Sequence, residues 1–268
     1  MILAVNVGNK RISVGVFENA SPRLEHRFEL ASVAEKTVDE YFSTISVIAK
    51  EAGIDMSSID GGVVSSVVPN LTATICKTVE RFTKEAPVLV GPGVKTGFPI
   101  KIDTPAELGG DMVANAASVI SKMKEENDRR AAIVFDVGDV TTVSGINQHG
   151  EYVGCSIIPG VGMSLEALRG HTALLPSVAY ASLTSAIGKN SQESVLSGVM
   201  LGHAIMLDGF AHSFAKEMKT TLDFARLFVT GEYAHQIIGL CRCGFEYVED
   251  LTLQGLYCIY KRSKENKN

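Results

Sequence analysis

The amino-acid sequence predicts an α/β protein built as two copies of one lobe, with a cleft between them. Two internal matches and the chain length predict it. Ala4-Val5-Asn6-Val7-Gly8-Asn9-Lys10-Arg11-Ile12-Ser13-Val14-Gly15 is echoed by Val134-Phe135-Asp136-Val137-Gly138-Asp139-Val140-Thr141-Thr142-Val143-Ser144-Gly145. Each reads as a strand, a tight Gly turn and an alternating second strand. The order of three strands, helix, strand, helix then occurs twice, the pattern of a duplicated lobe. A length of 268 residues suits two such lobes, or one large domain. Spacing alone also allows two unrelated hairpins. If the two turns face each other, their backbone N–H groups can clamp nucleotide phosphates.

In the first half, strands are expected near Ile2–Val7, Ile12–Phe17 and Leu24–Leu30. Thr37 and Glu40 form a capping-box pattern, and Val38, Tyr41, Ile45, Ile48 and Ala49 make the apolar stripe of a helix. Gly61–Val68 is an apolar strand interrupted by two serines and ended by Pro69. Leu71–Thr83 reads as a helix and Pro87–Val90 as a strand. Gly91–Pro105, rich in Gly and Pro, reads as a connection between lobes. A helix over Asp111–Lys124 precedes a charged, solvated turn over Lys122–Arg130.

The second half repeats this order. Strands are expected at Ala131–Asp136, Thr142–Ile146 and Tyr152–Ile157, then a long helix within Glu193–Met218. Arg226–Thr230 and Phe245–Val248 read as strands, Leu251–Tyr260 as a closing helix and Lys261–Asn268 as a fraying polar tail. His203 and His212 fall in the long apolar helix and read as structural.

Composition narrows the function. A formal net charge of −5 and the lack of a basic run disfavour nucleic acid. No apolar stretch reads as long enough to span a bilayer. The start Met1-Ile2-Leu3-Ala4 lacks the features of a signal peptide and reads as a strand. Five scattered cysteines fit a reducing cytoplasm better than a disulfide framework. Cys241-Arg242-Cys243 has no second pair to complete a metal site.

Several motifs in order resemble the type III pantothenate kinase family, part of the acetate and sugar kinase, Hsp70 and actin superfamily. Asn6–Asn9 (NVGN) resembles the DVGNTN phosphate loop, and Ser65–Pro69 matches SSVVP. Val90–Gly97 matches VGPGxKTG, and Asp103–Asn115 parallels xNPxEVGADRxAN. Asp136–Thr142 parallels DFGTATT, and Val229-Thr230-Gly231 stands where the family has TGG. Pro159–Ser164, Leu174–Pro176 and Ile187–Ser191 continue the match.

The resemblance implies duplicated actin-like (ribonuclease H-like) lobes, each a mixed five-stranded sheet flanked by helices, over residues 1–112 and 113–268. It implies transfer of the γ-phosphate of ATP to the hydroxyl of pantothenate, with Mg²⁺ and a monovalent cation, K⁺ or NH₄⁺. It also implies a cytoplasmic homodimer whose substrate site is shared between subunits. By the same match Asp111 is the catalytic base; read alone, an Asp after Gly-Gly at a helix start is an N-cap. Asn6, Gly8, Asn9, Lys10, Gly138, Asp139, Thr141 and Gly231 fall on the ATP side. Ile102, Gly109, Gly110, Met112 and Ser191 fall on the substrate side, and Asp136 on the monovalent cation.

The chain departs from the family at the same places. Asn6 replaces an Asp at the Mg²⁺ end, and Asp139 replaces a phosphate-contacting Thr. Met112 replaces the Arg that grips the pantothenate carboxylate, and Ile102 replaces a Tyr of the same pocket. Glu232 replaces the second Gly of TGG, and Lys10-Arg11 a Thr-Asn pair. Two readings follow. One is a working kinase in which Lys10 restores phosphate contacts and Asp139 takes the metal duty of Asn6. The other is a catalytically impaired relative with a binding or regulatory role.

Overall fold

The computed structural model describes residues 1–19, 21–178 and 185–265. It divides into two compact units. Unit 1 holds Met1–Pro99, Asp103–Glu126 and the chain from Asp250; unit 2 holds Ile100–Ile102 and Asn127–Glu249.

Unit 1 carries β1 (Ile2–Val7), β2 (Arg11–Phe17), β3 (Leu24–Ala31), α1 (Val38–Glu51), β4 (Gly61–Ser66), α2 (Pro69–Thr83), β5 (Val88–Leu89) and α3 (Gly110–Glu125). Its five-stranded sheet has the order β3-β2-β1-β4-β5. β1 is antiparallel to β2 and parallel to β4, so the sheet is mixed. The capping box forms as expected: Thr37 Oγ1 accepts from Glu40 N–H at 3.3 Å, and Glu40 Oε2 accepts from Thr37 N–H at 2.7 Å. One face of the sheet packs Leu3, Val5, Val64 and Val14 against Tyr41, Ile45, Leu71 and Ile75 of α1 and α2.

Unit 2 repeats the plan with β6 (Ala131–Val137), β7 (Val140–Ile146), β8 (Tyr152–Pro159), α4 (Val161–His171), α5 (Ser191–Leu196), α6 (Gly202–Glu217), β9 (Ala225–Thr230), α7 (Ala234–Ile238) and β10 (Glu246–Tyr247). The order β10-β9-β6-β7-β8 reproduces the first sheet strand for strand. The duplicated α/β fold is therefore present.

Long-range packing adds what periodicity does not carry. The closing helix α8 (Leu251–Glu265) packs in unit 1, on α3. There a Cβ on Gly255 would lie 1.8 Å from the carbonyl oxygen of Ala114, so the two backbones meet where only glycine fits. Thr252 Oγ1 donates to buried Asn115 Oδ1 at 2.7 Å across the same contact. The expected boundary after Met112 falls inside α3. Gly91–Pro105 supplies both units, with Lys101 N–H donating to Tyr152 O at 2.7 Å in unit 2.

Three expectations are corrected. The Lys122–Arg130 stretch is not simply a solvated turn: Asp128 is 13% exposed and pairs with Arg130 at 2.7 Å and Arg226 at 3.5 Å. Those guanidinium groups hold its carboxyl down at about 2. Lys261–Glu265, expected to fray, continues α8 as helix, and residues 266–268 lie outside the described residues. Finally, Ser191–Glu217 is long and apolar enough to cross a membrane by length and composition, with mean hydropathy 1.4. Half of that window is buried, and its inward residues belong to the core of unit 2.

This long helix contains a π-helical turn at Ser197–Leu201 between α5 and α6. Its inward positions Val195, Val199, His203, Leu207, Ala211 and Ala215 recur every fourth residue and are all buried. In a regular α-helix, at about 3.6 residues per turn, that spacing drifts around the axis by ~40° per step. The wider π-turn offsets part of the drift and keeps the stripe facing the sheet.

Candidate functional site

In unit 1 the candidate residues meet at the carboxyl ends of two parallel strands and the start of α3. Asn6 is the register partner of Ser65 across β1 and β4, so both side chains leave the same face of the sheet. Asn6 Oδ1 and Ser65 Oγ are buried without a hydrogen-bond partner. A Cβ on Gly110 would lie 2.7 Å from Ser65 Oγ and 3.2 Å from Val90 O. Glycine there lets the first turn of α3 sit directly on the Ser65 hydroxyl. After β1 the chain turns through Gly8-Asn9-Lys10, closed by Gly8 N–H donating to Arg11 O at 2.9 Å. Asn9 and Lys10 are exposed, while Arg11 is ion-paired to Glu29 at 3.1 Å.

Asp111 follows Gly110 in the first turn of α3. Its Oδ1 accepts from the Met112 N–H at 2.8 Å. Burial raises the carboxyl above the ordinary carboxylate range, against the lowering effect of the backbone N–H groups at Met112 and Asp111. A carboxylate shifted this way is a better proton acceptor than a free one.

In unit 2 the matching turn joins β6 to β7. Gly138 N–H donates to Val140 O at 3.3 Å, and Asp136 pairs in register with Thr142 and Thr230. Gly160, the residue before α4, lies on this turn: its N–H donates to Asp139 O at 2.8 Å, and a Cβ on it would lie 2.1 Å from Gly138 O. A Cβ on Gly162 would lie 1.9 Å from Asp139 Oδ1, so the Asp139 carboxylate sits at the start of α4. Thr141 is fully buried, its Oγ1 without a hydrogen-bond partner. Gly231 has φ +104°, and a Cβ there would meet Val137 N at 2.5 Å and Asp136 Oδ1 at 2.7 Å.

Asn6, Gly8, Asn9, Lys10, Gly109, Gly110, Asp111 and Met112 thus belong to unit 1. Asp136, Gly138, Asp139, Thr141 and Gly231 gather around one turn of unit 2. Met112 is buried rather than presented, at 7% exposure. Ile102 is half-buried in the short stretch beside β8, Glu232 is exposed after Gly231, and Ser191 is exposed at the first position of α5. A cavity of about 630 Å³ at the carboxyl ends of α1 and α2, lined by Phe42, Lys50, Arg81 and Lys84, includes none of these residues.

Sequence reasoning missed two contributions. Ser65 reads as an interruption of an apolar strand and as the start of a matching motif, without a role of its own, although a hydroxyl inside such a run is itself a signal of polar work. Gly160 and Gly162 read as part of a matching motif, without the close backbone approach that makes glycine necessary.

A type III pantothenate kinase family profile matches residues 2–213. The chain is 36% identical over 264 residues to the type III pantothenate kinase of Anaeromyxobacter dehalogenans (strain 2CP-C), covering 98% of this chain and 100% of that protein. It is 35% identical to that of Myxococcus xanthus, covering 98% and 99%. Among solved structures, one described as a Baf family transcriptional activator from Campylobacter jejuni has TM-score 0.60 at 15% identity, covering 98% and 99%. The acetate kinase of Porphyromonas gingivalis has TM-score 0.51 at 9% identity, covering 100% and 99%. At such identities these two speak for the fold alone. The profile and the near full-length relatives speak for more: this chain belongs to the type III pantothenate kinase family.

Proposed function

We propose that this protein phosphorylates the primary hydroxyl of pantothenate from ATP, giving 4'-phosphopantothenate and ADP, the first step of coenzyme A synthesis. The observation that carries the reading is the desolvated Asp111 carboxyl, one residue after the Gly110 that lies on Ser65, with the buried oxygens of Ser65 and its register partner Asn6 left unpartnered. Asp111 accepts the proton as the alcohol oxygen bonds to the γ-phosphorus and the bond to the ADP oxygen breaks. Phosphoryl transfer asks little covalent chemistry of the protein, so positioning and charge neutralisation supply most of the acceleration.

Within unit 2, the turn at Gly138–Thr141 is the phosphate side, and Gly231, close-packed on Val137 and Asp136, is the adenosine side. Mg²⁺, when bound, neutralises phosphate charge. Among the described residues there is no cluster of three His, Cys, Asp or Glu side chains. Mg²⁺ held mainly by substrate phosphates and water needs few protein ligands, and the buried Asn6 Oδ1 is an oxygen donor that fits. Asp136 is the residue for K⁺ or NH₄⁺. Ile102, Gly109, Gly110 and Met112 are the acceptor-side residues by the family match, with Ser191 contributed by the second copy of a cytoplasmic homodimer.

The second reading, an impaired relative, is less favoured, because the named relatives at 35–36% identity match along nearly the whole chain. A coupled assay with pantothenate, several millimolar ATP, Mg²⁺ and K⁺ or NH₄⁺ tests the proposal. Turnover lost in Asp111→Asn supports it. An inactive wild type that also fails to bind nucleotide by calorimetry sinks it.

A further inference from the structure

We propose that His203 is a positioning residue for the phosphate turn of unit 2; the catalytic part of this inference rests on the kinase reading above. His203 lies two residues past the π-helical turn, on the buried stripe of the long helix. Its Nδ1 is 2.6 Å from Val199 O, and its Nε2 is 3.2 Å from Pro159 O. Both ring nitrogens face carbonyl oxygens, which only accept: the bond to Pro159 exists when Nε2 carries its proton, and Nδ1 donates to Val199 as well only in the doubly protonated ring.

Pro159 ends β8, and the next residue is the one that touches the turn. Gly160 N–H donates to Asp139 O at 2.8 Å, and its Cα is so close to Gly138 that a Cβ would lie 2.1 Å from the Gly138 oxygen. A continuous path therefore runs from the helix through His203, Pro159 and Gly160 to Gly138 and Asp139. The remaining stripe residues Val195, Val199, Leu207, Ala211 and Ala215 are apolar. An imidazole among them must be hydrogen-bonded to offset its desolvation, and its Nε2–H bond to Pro159 O ties the helix to the end of β8. π-Turns inside α-helices occur often at functional sites, and this one helps to direct His203 inward. His203 does not touch substrate; it holds the backbone of the turn that the kinase reading assigns to the phosphates.

The test compares His203→Met with His203→Gln. Met fills the space without an N–H donor and adapts to irregular cores; Gln restores a donor. Backbone hydrogen exchange without ligand and steady-state kinetics are both read. In His203→Met, exchange over residues 138–142 and 160–162 should quicken by about three- to ten-fold, as for one lost hydrogen bond. The KM for ATP should rise by a similar factor, with kcat and the KM for pantothenate nearly unchanged. His203→Gln should return both toward wild type.

Exchange that is unchanged in those segments, or that quickens uniformly along the chain, overturns the proposal. So does an unaltered ATP KM in an active enzyme. A wild type without turnover sinks the kinase reading, and the exchange data alone then judge His203. If His203→Met does not fold, a folded His203→Gln with the loosened segment overturns the proposal, and wild-type exchange supports it.

Discussion

Asn6 of β1 and Ser65 of β4 are register partners in a parallel pair, and each keeps a buried oxygen without a hydrogen-bond partner. Folding alone does not favour that arrangement. Leaving a buried polar group unsatisfied costs about 1–3 kcal/mol. Ser65→Ala should therefore stabilise the protein by about 1 kcal/mol, raising Tm by roughly 2–4 °C. The same variant should lower kcat/KM by at least about ten-fold, one hydrogen bond at the reacting centre. Calorimetry with steady-state kinetics checks this. A variant that is less stable and fully active would falsify the role given to the hydroxyl.

Asp111 makes a second opposition between stability and activity. Burial raises its folded-state pKa above the ordinary carboxylate value. Its contribution to stability is then fully present below the unfolded-state value and is lost as pH rises through the folded-state value. Asp111→Asn should accordingly be more stable than wild type at neutral pH, and the difference should shrink in acid. Its kcat should fall by about 10²- to 10⁴-fold, the usual contribution of a general base. Urea midpoints at two pH values and a pH–rate profile decide it. An acid limb of kcat/KM at the value of a free carboxylate speaks against Asp111 as the base.

Gly160 and Gly162 should respond differently to alanine although only one residue separates them. At Gly160 the obstacle is the backbone oxygen of Gly138, which cannot move without opening the turn. Gly160→Ala should cost about 1–3 kcal/mol or more, as overpacking does, and abolish nucleotide binding. At Gly162 the nearest atom is the tip of the Asp139 side chain, which can swing aside. Gly162→Ala should stay within about 1 kcal/mol of wild type. Equal losses in the two variants, measured by thermal unfolding and calorimetry with ATP, contradict this reading.

Met112 bears on specificity. Its buried thioether carries no N–H donor for a carboxylate. A site without that charge partner has little reason to reject an uncharged amide analogue of pantothenate. The analogue's kcat/KM should lie within about ten-fold of the acid's, whereas a site built on a buried hydrogen-bonding partner discriminates by about 10⁴ or more. Competition between the two substrates measures the ratio directly. Strong preference for the acid would mean that another cation grips the carboxylate.

Much of this protein is legible in its sequence, because strand alternation, helix stripes, capping boxes and Gly turns are local. Thr37 and Glu40 mark the start of α1 from three residues apart, and the twin hairpins at Gly8 and Gly138 announce two copies of one sheet. The ordered motifs likewise carry the family and point to Asp111. Local pattern does not say which distant residues touch. That α8 crosses α3 at Gly255 and Ala114, and that Asp128 is drawn in by Arg226, are contacts over large sequence separations. The same holds for Gly110 lying on Ser65 and Gly160 on Gly138. The sequence by itself determined the elements, their duplication and the family. Only the tertiary structure decided which glycines are close-approach points and which buried polar groups are left unpartnered, because both depend on distances between backbones that no repeat period encodes.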